Sequence, residues 1–248
     1  MRGRVITSPV ALAEAFSGVN VVTMHFQREM NRLNQDLVSV GKRVEEQLTL
    51  AFNAFVQMDV TTARKVIKGD AEVDNVEVEM EEECLKLLAL YQPVANDLRL
   101  IVAVLKINND LERIGDHAKN MAEIVLQMAE NGPMKVPENM IAIFEKTKLM
   151  LRKVLLAFVE LDIKIAEAVL AMDDEVDALC KSQLPLQIEM IQHEPDYAGQ
   201  HLMLLSVCRQ LERIGDHASN IAEDIIYLLT GDIIRHSISG SMSRASTC

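Results

Sequence analysis

The sequence has no tryptophan, three tyrosines, six phenylalanines, six prolines and only ten glycines in 248 residues. That scarcity argues against an all-β chain, which draws on aromatic residues for its strands and on glycine and proline for its many turns. Cysteine is equally sparse. Cys84, Cys180, Cys208 and Cys248 stand far apart with no CxxC pair, so neither a thiolate metal site nor a disulfide framework is indicated, and a reducing compartment fits. No apolar run approaches the roughly 18 residues of a spanning helix. The longest, such as Ile101 to Leu105 and Val154 to Val159, are short, which excludes a membrane-crossing chain. Basic residues form no stripe, and the formal net charge of −12 repels phosphate backbones, which excludes nucleic acid as a partner. No Glu-x-x-His occurs, and no other nucleophile or base constellation stands out.

Alanine, leucine, glutamate, methionine and lysine are plentiful, which is a helix-forming composition. Residues 1–23 carry Arg2 and Arg4 ahead of a short apolar stretch, but Pro9 and Glu14 interrupt it, so it makes a poor signal peptide. Met24 is the expected natural start, with residues 1–23 a non-native or disordered extension. The serine-rich segment 237–248 reads as a disordered tail.

An internal repeat sets the architecture. Leu111-Glu112-Arg113-Ile114-Gly115-Asp116-His117-Ala118 recurs letter for letter as Leu211 to Ala218. Upstream, Asp59, Ala63, Val66, Asp70, Glu72, Val73 and Asp74 are echoed by Asp162, Ala166, Val169, Asp173, Glu175, Val176 and Asp177. The expected fold is all-α: two tandem three-helix bundles related by the repeat, over residues 24–135 and 136–236. In the first half, helices are expected from about His25 to Met58, Val60 to Tyr91 and Val94 to Glu130, with Asp59 as an N-cap, Pro93 opening the third, and Asn131-Gly132-Pro133 closing it. In the second half Pro137 opens a helix to about Glu160, Asp162 caps the next, Glu194-Pro195 turns into the last, and Gly231 closes it.

At 100° per residue, Leu100, Ile107, Leu111, Ile114, Ala118 and Met121 share one face, matched later by Leu211, Ile214, Ala218 and Ile221. That stripe is core. The opposite face carries Asn109, Glu112, Asp116, Asn120 and Glu123. Glu112 and Asp116 are spaced i, i+4, as are Asp70 with Asp74, Asp173 with Asp177, and Glu212 with Asp216. If packing brings two such pairs together in each bundle, neighbouring carboxylates repel by roughly 2–3 kcal/mol at 6 Å and an effective dielectric of 20. A cation should sit among them, and oxygen donors suit Mg, Ca, Mn or iron. One acidic pair is usually a solvated face; four pairs in equivalent places of two repeats argue for ligands. His117 and His217 point about 100° away from their acidic neighbours and are expected to hydrogen-bond beside the site. Arg113 and Arg213 should pair with nearby acids, and Gly115 and Gly215 imply close approach of another group.

The segment Gln92 to Arg99, the two Leu-Glu-Arg-Ile-Gly-Asp-His-Ala blocks, and Ile226-Tyr227-Leu228-Leu229-Thr230-Gly231 together resemble the signature of the PhoU family, over about Met24 to His236. The resemblance implies multinuclear iron or zinc clusters held by (E/D)xxxD motifs. On this chain the positions are Asp70, Asp74, Glu112 and Asp116 in one bundle, and Asp173, Asp177, Glu212 and Asp216 in the other. It also implies a non-enzymatic, cytoplasmic negative regulator of phosphate uptake. Such a protein would work at the inner face of the membrane, with the ATPase of the high-affinity phosphate ABC transporter and a membrane histidine kinase as partners. A homodimer is a further expectation. The second half has Gln200-His201-Leu202 near the place of the first half's Asp-Leu-Arg, so the two sites need not bind equally. The alternatives are a carboxylate-bridged di-iron enzyme, which typically needs the missing Glu-x-x-His, and a metal store on a helical bundle.

Overall fold

The structure, a computed structural model, describes residues 9–132 and 135–232, with side chains from Met24 onward except Asn131. Among these residues six long helices follow one another: α1 Pro9–Gln57, α2 Val60–Tyr91, α3 Ala95–Asn131, α4 Glu138–Glu160, α5 Ile163–His193 and α6 Ala198–Thr230, with a 3₁₀ turn at Pro195–Tyr197 before the last. No strand occurs among the described residues. Among the described residues no helix is long and apolar enough to cross a membrane.

Capping chemistry sets the joints. Asp59 stands in extended conformation and accepts hydrogen bonds from the Thr61 and Thr62 amides at 2.9 and 3.1 Å and from the Thr62 hydroxyl at 2.6 Å. Asp162 does the same for α5 through the Lys164 amide at 2.8 Å. Both satisfy amides that would otherwise face the helix start without partners. Asp162→Ala should therefore lower stability by about 1 kcal/mol, visible as a small fall in the thermal midpoint with no change of helix content. Gly231 ends α6 at φ +80°, a conformation that suits glycine, and its amide reaches the Tyr227 carbonyl.

The expected α1 start is corrected: the described helix already covers Pro9, well upstream of His25. The third helix starts one residue after the expected Val94, which serves as its cap. Residues 1–8, Pro133 and the expected tail at 237–248 lie outside the described residues.

α1, α2 and α3 pack as one bundle and α4, α5 and α6 as the other, as the repeat requires; α3 against α6 and α1 against α4 join them. The predicted stripe is core: Ile107, Leu111, Ile114, Ala118 and Met121 are buried, as are Leu211, Ile214, Ala218 and Ile221, while Leu100 is partly covered. Between the halves, Phe52 of α1 stacks on Phe144 of α4, with ring centroids 3.8 Å apart and planes 4° off parallel. Gly41 of α1 lies under Leu155 of α4, whose terminal methyl group would overlap any Cβ placed there.

Candidate metal centre

The two identical octets lie on α3 and α6, and the adjoining acids Asp70 and Asp74 on α2, and Asp173 and Asp177 on α5, come from the helix packed beside each. Each half therefore brings carboxylates from two helices to one place, yet the two places differ.

In the second half, Asp173, Asp177 and Asp216 each offer a carboxylate oxygen, and these three atoms all lie within 4.8 Å of one another. Glu212, one turn back on α6, does not join that group. Asp173 Oδ1 is buried without a hydrogen-bond partner, and so is the hydroxyl of Ser219, which is 9 % exposed. Burial pushes the Asp173 carboxyl up to about 6, helped by the negative charges of Asp216, Asp177 and Asp174; the nearby Ser219 hydroxyl offsets part of the rise without forming a well-made hydrogen bond. Asp216 is also raised, first by burial and then by Asp177, with His217, Arg213 and Lys181 opposing. On the outer edge Lys181 Nζ stands 2.9 Å from Asp177 Oδ2, on a lysine side chain that is 70 % exposed. Gly215 permits the close approach of α5: a Cβ there would sit 3.1 Å from Asp173 Oδ1. Gly215→Ala should thus press on this carboxylate and weaken any cation held there, readable as a higher dissociation constant for added Mn(II) in a fold of unchanged helicity.

The first half is organised around a lysine. Lys119 Nζ lies 2.5 Å from Asp70 Oδ2 and 3.8 Å from Asp116 Oδ1, and Asp70 is 3 % exposed. Arg113 adds longer contacts to Glu112 at 3.4 Å and Asp116 at 3.7 Å, which is the acid pairing expected of it. Burial raises the Asp74 carboxyl, with Asp70 adding to the rise and Lys119 opposing it. Burial likewise raises Glu112, with Asp116 adding and Arg113 opposing. From α1, Gln47 reaches the same place; its buried Oε1 lacks a partner and would lie 3.7 Å from a Cβ on Gly115.

The histidines point elsewhere, as their 100° offset predicts. His117 Nδ1 is 2.8 Å from Gln210 Oε1, and His217 Nδ1 is 2.8 Å from Asp110 Oδ1, across the α3–α6 interface. The two rings stand 5.4 Å apart between the halves. Asn120 and Asn220 donate to the same Gln210 and Asp110 oxygens. Burial depresses the His117 imidazole below its ordinary range, with the Gln210 hydrogen bond opposing. These pairs follow the repeat and make a near-symmetric polar seam, which sequence reasoning placed beside the site but did not assign to the joint between halves. His201 is likewise structural: it is buried, with Nδ1 2.7 Å from Gln187 Oε1.

A groove of about 750 Å³ lies away from both carboxylate clusters, lined by Lys42, Arg99, Phe158, Val159, Leu161 and Leu229 among others. There the Gln92–Arg99 segment meets the end of α6: a Cβ on Gly231 would lie 3.6 Å from Arg99 Nη1. Val159 and Leu161 are each 55 % exposed at its rim.

The domain family described as PhoU matches residues 37–125 and 141–225, one match in each half. The "Phosphate-specific transport system accessory protein PhoU homolog 1" of Thermotoga maritima is 34% identical over 218 residues, covering 88% of this chain and 94% of that protein. The PhoU homolog of Aquifex aeolicus is 36% identical over 213 residues, covering 86% and 96%. The crystal structure of PhoU from Pseudomonas aeruginosa superposes with a TM-score of 0.81 at 35% identity, over 84% of this chain and 100% of that one. The phosphate transport system regulatory protein PhoU from Streptococcus pneumoniae gives 0.76 at 29%, over 84% and 98%. These proteins carry the names of accessory or regulatory proteins, not of enzymes. Both repeats, the six-helix fold and the relatives agree: the chain belongs to the PhoU family.

Proposed function

We propose that the chain is a cytoplasmic, non-enzymatic regulator of phosphate uptake. It restrains the phosphate-starvation response by contacting the phosphate transporter's ATPase and the phosphate-sensing histidine kinase, and its second bundle holds a metal ion or cluster. The observation that carries the metal reading is the convergence of Asp173, Asp177 and Asp216 within 4.8 Å, beside a buried Asp173 oxygen and Ser219 hydroxyl that have no partners. Three carboxylates that close repel one another, and a divalent cation removes the repulsion and satisfies the orphaned oxygens. The donor set contains oxygen only, because among the described residues no histidine or cysteine joins Asp173, Asp177 and Asp216. Oxygen donors favour iron, Mn, Mg or Ca over zinc.

The regulatory reading rests on family membership, and the groove offers a surface for it. Exposed Val159 and Leu161 beside the Arg99 guanidinium form an apolar patch with a charged edge, the kind of surface that marks protein contacts. A strain lacking this protein should express phosphate-scavenging genes when phosphate is plentiful; normal repression would contradict the proposal. A pull-down from cells grown with and without phosphate should bring down a transporter ATPase and a histidine kinase. Leu161→Asp should weaken that capture while leaving the fold intact.

A further inference from the structure

Immediately past the repeated octet, Lys119 of α3 stands where the second half has Ser219. The lysine ammonium touches Asp70 of α2 at 2.5 Å and approaches Asp116 of α3 at 3.8 Å, so it bridges the same two helices that a metal would bridge. Buried Asp70 thereby gains a counter-charge from the protein itself. In the second half the serine brings no charge, and both its hydroxyl and Asp173 Oδ1 remain unpartnered. The nearest lysine there, Lys181, approaches Asp177 from the exposed edge and does not reach between the helices to Asp173 or Asp216 within ion-pair distance. The acids are matched, and what neutralises them is not.

We propose that Lys119 is a built-in counter-ion that takes the place of metal in the first half, so that this chain binds metal in its second half alone. The inference rests on the reading of Asp173, Asp177 and Asp216 as ligands. A cation entering the first half would have to displace an ammonium already paired with its acids, and the two positive charges would repel. In the first bundle Asp70 therefore has its counter-charge without metal, and the second bundle is the one whose stability follows metal supply.

The test is equilibrium dialysis of the full chain against Mn(II), with bound metal measured by elemental analysis and helicity by circular dichroism. In the wild type, Asp173→Asn with Asp216→Asn should remove the bound manganese, whereas Glu112→Gln with Asp116→Asn should leave it unchanged. Lys119→Ser should about double the metal content by opening a second oxygen site. That increment should disappear when Glu112→Gln and Asp116→Asn are added. The reciprocal Ser219→Lys should stay helical and lose the second half's metal. Wild-type manganese lost in part on Glu112→Gln with Asp116→Asn, or a folded Lys119→Ser protein with no added metal, would overturn the proposal and leave the second-half reading standing; manganese lost in full there and kept by the Asp173→Asn, Asp216→Asn protein would overturn both. No metal in the wild type but binding by Lys119→Ser would overturn that reading and support the role of Lys119. Absence of metal from every variant would overturn both.

Discussion

Without added metal, the Asp173 carboxyl should contribute stability that grows as pH falls from about 6 toward 4, opposite in sign to the usual paired acid. The Asp173 carboxyl is held up to about 6 against an ordinary 3.8, chiefly by burial. Between those values the folded chain keeps a proton that the unfolded chain has released, so folding is favoured by acid through this window and the gain levels off near pH 4. A shift of about two units corresponds to roughly 3 kcal/mol, and partial exposure of the site reduces it to the order of 2 kcal/mol. The raised carboxyls of Asp74, Glu112 and Asp216 act in the same direction, and the depressed His117 imidazole acts against them, so the comparison with Asp173→Asn isolates the acid's contribution. With saturating Mn(II) the slope should reverse, because the cation needs ionised acids and is displaced by protons. Thermal midpoints recorded from pH 7 to 4.5, in chelator and in Mn(II), check this. Parallel curves in the two conditions would contradict it, and Asp173→Asn should flatten the chelator curve.

The second large effect lies at the joint between the halves. Phe52 and Phe144 are 3 % and 2 % exposed and stacked at 3.8 Å, one from each bundle. Phe52→Ala removes a buried ring and leaves a cavity between α1 and α4, at a cost of roughly 3–5 kcal/mol. Phe52→Leu refills most of the volume and should cost much less. Urea unfolding of the three proteins gives the ordering directly. A loss below about 1 kcal/mol for Phe52→Ala would mean that this contact does not hold the halves together.

Much of this fold was legible because it is written locally. The repeat gave the two bundles, Asp59 and Asp162 gave their caps, and the stripe from Ile107 to Met121 gave the buried face of α3. The exception was the start of α1, where residues 1–23 read as an extension outside the repeat, although the described helix covers Pro9 onward. The acidic positions were legible too, but their inequality was not. Lys119 follows the octet in plain view, yet its meaning depends on Asp70 lying 49 residues away in sequence and 2.5 Å away in space. Glu212 looked equivalent to its neighbours, and only the geometry separates it from the three-oxygen group. The His117–His217 seam and the Phe52–Phe144 stack are contacts between halves, which helical periodicity within one half cannot encode.

The metal reading of the second half is tested most directly by calorimetric titration of Mn(II) into the chelator-stripped wild type and into the protein carrying Asp173→Asn and Asp216→Asn. Three carboxylates converging within 4.8 Å predict saturable binding by the wild type. They also predict a thermal midpoint that climbs with free metal, equivalent to about 2.7 kcal/mol at a hundred times the dissociation constant. The variant should keep its helicity and show neither effect. Equal binding and equal thermal gain in the two proteins would contradict the account, leaving these acids a solvated face.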